Sequence, residues 1–321
     1  MADWTWSALS AEDGPHVYAI IAAIEEADSA ANRTTRHEVE GYFADSHAWR
    51  AQGVWEGEEL VAFGLARTPA KNAGEHPITI SGGVAPSWRS HGVGHNLLER
   101  QLRTAHDLAT ELGLDDALVQ MYVDASQGAL FEMATRFGFR ANSRYVQMRR
   151  SLDVPATVTE VSSYIQIVKM GTDWVKDSRK AHNRVMAENE MSAMSGNAWA
   201  KRLEQMDEDL CLVAIDLFGD RPRLAGYVLA SRFASGLDGH GVDNTVPDEG
   251  YIEEIVVLPE WRGKHVASNL LATAVERFRA AGLSYIGLDV TADGADSDLV
   301  TVFEHFDFTR VAETYIMTTR V

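Results

Sequence analysis

Apolar residues recur along the chain at two spacings, and the order of those spacings predicts its elements. From Pro15 to Ala27 they return at helical period, and a second short helix is predicted over His37–Ala44 behind a Thr34 or Thr35 cap. Alternating stretches at Ala51–Trp55 and Leu60–Arg67 flank the turn Glu56-Gly57-Glu58, and Ile78–Val84 forms a third strand. Leu97, Leu98, Leu102 and Ala105 mark one side of a long helix over Gly94–Leu112. A strand at Ala117–Val123, a helix at Gly128–Arg136 and a strand at Ser143–Arg150 follow. The same order then begins again. Strand Tyr164–Val168 leads to helices at Asp177–Ala187 and Ala198–Met206 and to strands at Leu210–Leu217, Arg223–Arg232 and Tyr251–Leu258. Helix Ala267–Ala281, strand Tyr285–Val290, helix Leu299–Phe306 and strand Val311–Thr319 complete it.

The recurrence extends to individual residues. Residues 84–98 read VAPSWRSHGVGHNLL and residues 257–271 read VLPEWRGKHVASNLL, with Arg89 and Arg262 lying 173 positions apart. Downstream, Gly138-Phe139 matches Asp307-Phe308, and Tyr145-Val146 matches Tyr315-Ile316. Self-similarity at this length indicates two copies of one domain. The expected division is 1–150, a linker at 151–160 and 161–321, each copy a mixed α/β unit in which a central strand feeds a helix.

The repeated strand–turn–helix has a chemical use. A helix N-terminus leaves four N–H groups unpaired and carries partial positive charge. Glycines in the preceding turn let an anion approach the backbone, so the arrangement suits a pyrophosphate. Val84 and Arg89, Ser90, His91, Gly92, Val93 and Gly94 supply it in the first copy; Arg262, Gly263, Lys264, His265, Val266 and Ala267 supply it in the second. Pro86 and Pro259 end strand pairing, because proline has no N–H to donate.

On these residues both halves resemble the GNAT acetyltransferase superfamily, whose signature is Arg/Gln-x-x-Gly-x-Gly/Ala after a strand ending in Val-x-Pro. The resemblance covers nearly the whole chain, and the tandem arrangement is similar to that of the mycothiol synthases within the superfamily. It implies that acetyl-CoA is the cofactor, with its pyrophosphate on the loop N–H groups. It also implies that the pantetheine arm lies along the strand before the loop, here Val256, Val257 and Leu258. His265 stands where the family has glycine. The family's Leu-Tyr-x-x-x-Gly-Phe tyrosine, which protonates the leaving thiolate, is replaced by Ala134 in the first copy and Phe303 in the second. Tyr251, Tyr315 and His305 are the available substitutes, although a thiolate is weakly basic and can leave unassisted.

Transfer to an amine needs a neutral nucleophile and hence a proton acceptor. In the strand Tyr251–Pro259, Glu253 and Glu254 interrupt an apolar run, and alternation places them on opposite faces. In similar polyamine-type acetyltransferases the carboxylate nine residues before the arginine faces the amine, which gives Glu253 as the favoured base and Glu254 as the reserve. The matching positions of the first copy are Ile80 and Ser81, and no base is apparent there. Trp88 and Trp261 precede the two arginines and are expected to be structural, and His91 and His95 to lie on the surface.

Composition narrows the partners. Against 47 Asp+Glu stand 29 Lys+Arg, a formal charge of −18 that disfavours nucleic acid and anionic membrane. No lysine or arginine lies between Arg232 and Arg262, whereas Asp238, Asp243, Asp248, Glu249, Glu253 and Glu254 do, which suits a cationic acceptor. Cys211 is the single cysteine, and no Cys/His cluster has zinc-ligand spacing, so no metal is expected. No apolar run reaches the roughly 18 residues that span a bilayer, and the first residues lack a signal-peptide pattern; a soluble, cytoplasmic protein is expected. The leading reading is an acetyl-CoA-dependent N-acetyltransferase acting on a small, cationic amine, with its chemistry in the C-terminal copy. The alternatives are a non-catalytic acetyl-CoA-binding module using the first loop, transfer to an amino-thiol as in the mycothiol synthases, and catalysis in the first copy on an acceptor needing no strong base.

Overall fold

A computed structural model of the chain describes residues 4–30, 34–44, 48–68, 77–156, 163–188, 193–233, 249–292 and 297–321. Asp238, Asp243 and Asp248 of the acidic stretch lie outside them. The chain forms two compact units, Met1–Tyr145 with Ala312–Val321, and Val146–Val311.

In the first unit the strands are β1 (Trp4–Ala8), β2 (Trp49–Glu56), β3 (Glu59–Arg67), β4 (Ile78–Val84) and β5 (Leu118–Asp124), with helices α1 (Gly14–Ala27), α2 (Arg36–Tyr42), α3 (Val93–Glu111) and α4 (Gly128–Arg136). Neighbours pair in the order β1-β2-β3-β4-β5, antiparallel except for β4 and β5, which are parallel. That parallel pairing holds only at Ile78–Val119 and Thr79–Gln120, so β4 leaves β5 after two steps. Helix α3 covers one face: a Cβ on Gly64 would lie 2.8 Å from Leu97. Helix α1 covers the other: a Cβ on Gly83 would lie 2.4 Å from Ile24. Thr35 caps α2 in a reciprocal box with Glu38. The short strand β1 was not legible from its Trp-Thr-Trp alternation, because five residues give too few periods.

The next strand, β6 (Arg140–Ser151), passes from the first unit into the second. The second unit contains β7 (Ile165–Lys169), α5 (Val175–Glu188), α6 (Gly196–Leu203), β8 (Leu212–Asp216), β9 (Arg223–Phe233), β10 (Glu249–Val257), α7 (Val266–Ala280), β11 (Tyr285–Thr291) and α8 (Ser297–Glu304). Strand β12 (Thr309–Arg320) ends the chain. Strands β10 and β11 pair in parallel from Glu249–Tyr285 to Ile252–Leu288 and no further. Helix α7 covers the face of β10 that carries Gly250, whose Cβ would lie 2.1 Å from Phe278; α5 and α6 lie on the opposite face.

The units do not follow the expected division at 150. Strand β12 pairs antiparallel with β5 and sets Met317 in the first unit's core. The end of β6 neighbours β11 and places Val146 and Met148 in the second unit's core. The last strands of the two copies carry interchangeable apolar patterns, so periodicity cannot say which sheet each one completes. Nor is the whole stretch 151–160 a free linker, since Leu152 is buried in the second unit and its N–H donates to Ser284 O at 2.9 Å. Among the described residues no helix is long and apolar enough to cross a membrane.

Candidate active site

Each unit presents a helix start with its donors unspent. After β4, Ala85 N–H makes a last ladder bond to Val61 O at 2.9 Å, and Pro86–Trp88 forms a single 3₁₀ turn. Leu258 N–H does the same with Ala225 O at 3.0 Å before Pro259–Trp261. The following residues run through two left-handed positions, Ser90 (φ 65°) and Gly92 (φ 82°) in the first loop, Gly263 (φ 71°) and His265 (φ 59°) in the second. Both loops thus take one shape although His265 replaces glycine. No side chain caps α3 or α7. The N–H groups upstream of Asn96 and Asn269, which reach back to Gly92 O and His265 O, are left for a ligand. Asn96 and Asn269 also donate their side-chain amides to those same carbonyls.

The signature arginines behave alike. Arg89 makes a bidentate pair with Asp28 at the end of α1, at 2.6 and 2.9 Å. Arg262 pairs with Glu188 at the end of α5 at 2.8 Å, and its Nε donates to Val257 O at 3.2 Å. Trp261 is buried and donates its indole N–H to Asp216 at 3.0 Å. Trp88 packs edge-on against Trp4 at 5.8 Å. His91 is exposed, with Nδ1 2.8 Å from Arg89 O, and His95 lies against Phe137.

Ladder alternation decides which backbone groups face the splay. Residues of an antiparallel strand direct N–H and C=O alternately to one neighbour and to the other side. Ala85 and Gly83 are therefore bonded to β3, whereas Gly82 and Val84 open toward the gap beside β5. In the second unit Val256 and Leu258 direct their backbone to β9 and do not line the gap, contrary to expectation. Val257 does, together with Ile255, which pattern reading passed over. Beside β4 the gap is a cleft of about 630 Å³ lined by residues that include Gly82, Val84, Arg89, Gly94 and Met133.

Glu253 and Glu254 do not lie on opposite faces. The register of β10 against β9 shifts between Ile252–Ala230 and Glu254–Leu229, leaving Glu253 as an inserted residue. Ser231 pairs with Tyr251, on the face away from α7, and donates its hydroxyl to Glu253 at 2.6 Å. Glu254 points to that same face, where His182 Nδ1 of α5 lies 2.8 Å away and Arg202 of α6 lies 3.3 Å away. Glu253 is exposed, whereas the Glu254 side chain is nearly buried. The first unit's β4 pairs with β3 in unbroken register and has Ile80 and Ser81 there.

The proposed substitutes for the missing tyrosine separate. Tyr251 is buried against Asp289, and burial together with that carboxylate pushes its hydroxyl pKa up. Tyr315 belongs to the first unit, edge-on to Phe131. His305 is exposed at the end of α8, with Nδ1 2.6 Å from Thr301 O. Ala134 is fully buried, and Phe303 packs against Phe308. Among the described residues no three His, Cys, Asp or Glu side chains converge as a metal site.

Residues 177–307 match the model of the acetyltransferase (GNAT) family. No curated protein matches the sequence. A GCN5-related N-acetyltransferase from Sphaerobacter thermophilus is similar in structure, with 19% identity, 99% of this chain and 95% of that chain covered, and a TM-score of 0.76. A tandem GNAT protein from the clavulanic acid biosynthesis pathway gives 15% identity, 99% and 98% coverage and a TM-score of 0.71. A GCN5-related glucosamine N-acetyltransferase region of a fungal multi-domain GH3 β-N-acetylglucosaminidase gives 13%, 99% and 38%, with a TM-score of 0.71. The chain therefore has the fold of a tandem GNAT protein, two GNAT-like units each built on a splayed, mixed sheet. Its second unit contains an acetyltransferase domain of the GNAT family.

Proposed function

We propose that this protein is an acetyl-CoA-dependent N-acetyltransferase that acts on a small, cationic amine in its second unit. The observation that carries this reading is the bulge in β10, which turns Glu253 out as an exposed carboxylate where β10 parts from β11. The residues of both units fit the cofactor: uncapped helix starts, left-handed loops and splay-facing backbone at Val84 and Val257. Acetyl-CoA, when bound, supplies the activated acetyl group. Glu253 accepts the proton that the amine sheds, and the Ser231 hydroxyl, donating to the carboxylate, holds it in place. Arg89 and Arg262 would exchange their carboxylate partners for phosphate oxygens. The first unit, with Ile80 and Ser81 in place of the carboxylates, would hold a second cofactor without a base.

The test is amine-dependent thiol release from acetyl-CoA, alongside calorimetric titration with the cofactor. E253Q should lower kcat by about 10²-fold or more while leaving cofactor affinity unchanged. Turnover unaffected by E253Q removes Glu253 from the mechanism. Two calorimetric sites are expected, and G92D, which sets a carboxylate at the phosphate position, should remove one of them without affecting turnover.

A further inference from the structure

The two units carry the same strand and differ in what surrounds it. Register fixes the correspondence: Val84–Ala62 answers to Val257–Gly226, Gly83–Phe63 to Val256–Tyr227, and Ser81–Leu65 to Glu254–Leu229. Val39 is the buried residue of α2, as Trp199 is of α6. Where the first unit has Phe63, Ser81 and Val39, the second has Tyr227, Glu254 and Trp199. Only the second has the inserted residue.

Glu254 sits at the centre of this difference. Its side chain is 10% exposed, and a carboxylate so buried is costly unless paired. His182, Arg202 and the wholly buried Tyr227 surround it, and the Trp199 ring lies 5.1 Å from His182 and 6.1 Å from Tyr227. Without the insertion, the register set by Ile252–Ala230 would continue, and Glu254 would fall opposite Val228. A one-residue slip exchanges the faces of a strand, so its carboxylate would then enter the apolar layer under α7, near Leu270. The polar partners on α5 and α6 therefore select the bulged register.

We infer that Glu254 is a positioning residue: gripped by His182 and Arg202, it locks the insertion in β10 that turns Glu253 outward. This rests on the reading of Glu253 as the base. A group acting only as anchor should tolerate an isosteric amide, because an amide oxygen accepts from His182 Nδ1–H as a carboxylate does.

The full-length variants E254S, which installs the first unit's residue, and E254Q are compared with E253Q in two measurements. One is kcat and KM across pH with the amine best used by the wild type; the other is the crystal structure of E254S. E254S should lower kcat about 10²-fold with KM for acetyl-CoA unchanged, since a carboxylate displaced by an ångström loses that much. It should also erase the acidic limb of the pH profile, and its crystal structure should show β10 without the insertion. E254Q should keep at least about tenfold more kcat than E254S, with the wild-type limb in place. If E254S does not fold, H182A is read by the same two measurements. E254Q as inactive as E253Q, with the bulge intact, would make Glu254 the base and overturn the inference. So would E254S retaining the bulge. Failure of the wild type to acetylate any amine would instead refute the reading of Glu253, while the register seen in E254S still decides the anchor.

Discussion

The two turns before α3 and α7 predict a set of stability changes with alternating sign. Each loop has two left-handed residues, and in each one is glycine and the other is not, in opposite order. A non-glycine residue in this region pays about 1–2 kcal/mol because its Cβ crowds the carbonyl oxygen. Ser90 and His265 are both exposed, so removing their side chains sacrifices little packing. S90G and H265G should each therefore stabilise their unit by about 1 kcal/mol, or roughly 2–4 °C in Tm for a unit of this size. At Gly92 and Gly263 an added Cβ would meet nothing within 4 Å, so only backbone strain opposes alanine. G92A and G263A should each cost about 1–2 kcal/mol. Urea titration of the four variants checks this, with a shifted midpoint and an unchanged slope expected. Midpoints unchanged by S90G and H265G would mean that the loops do not hold this shape, and would refute the presentation of the helix N-termini. In the proposed function the cofactor is held by backbone N–H groups, so H265G should bind acetyl-CoA within a few-fold of wild type.

Two further predictions concern the scaffold around the second loop. Asp216 accepts from Phe218 N–H, Trp261 and Arg223 at 2.8–3.0 Å, and these bonds, that of Phe218 N–H foremost, hold its pKa below the ordinary value. Its folded pKa lies below the unfolded one, so its stabilisation is present above about pH 4 and disappears as pH falls through the folded value. D216N should cost about 2 kcal/mol at pH 7 and progressively less in acid; a pH-independent loss would contradict the assignment. G250A should destabilise the second unit by about 1–3 kcal/mol, because its Cβ would lie 2.1 Å from Phe278; an unchanged urea midpoint would contradict that packing.

Most elements, and the repeat, could be read from periodicity, because strands such as Leu60–Arg67 and helices such as α3 carry several periods each. What escaped depended on partners distant in the chain. Which unit receives β6 or β12 is decided by pairing, and the two strands offer the same apolar pattern. The faces of Glu253 and Glu254 were misread because alternation presumes an unbroken strand, and an insertion leaves no mark in composition. Likewise, three consecutive residues, Val256 to Leu258, looked alike as backbone donors until Leu258 N–H was seen bonded to Ala225 O.

The two copies share one set of features and differ in another. Both retain the loop shape, the arginine paired with a carboxylate at the end of the unit's first α-helix, and the asparagine that ties the loop carbonyl. In the proposed function these features serve cofactor binding, and the loop shape survives even the replacement of glycine by His265. The copies part at Ser81 and Glu254, Phe63 and Tyr227, Val39 and Trp199, all on the face opposite the long helix that follows the loop. On the proposed reading the first group of residues binds the cofactor, whereas removing a proton from an acceptor requires a carboxylate and something to hold it. In the proposed function, a chain that keeps the first group twice and the second once binds cofactor at two places and reacts at one. Retained turnover in G92D, alongside its loss in E253Q, is the pair of results on which that asymmetry stands.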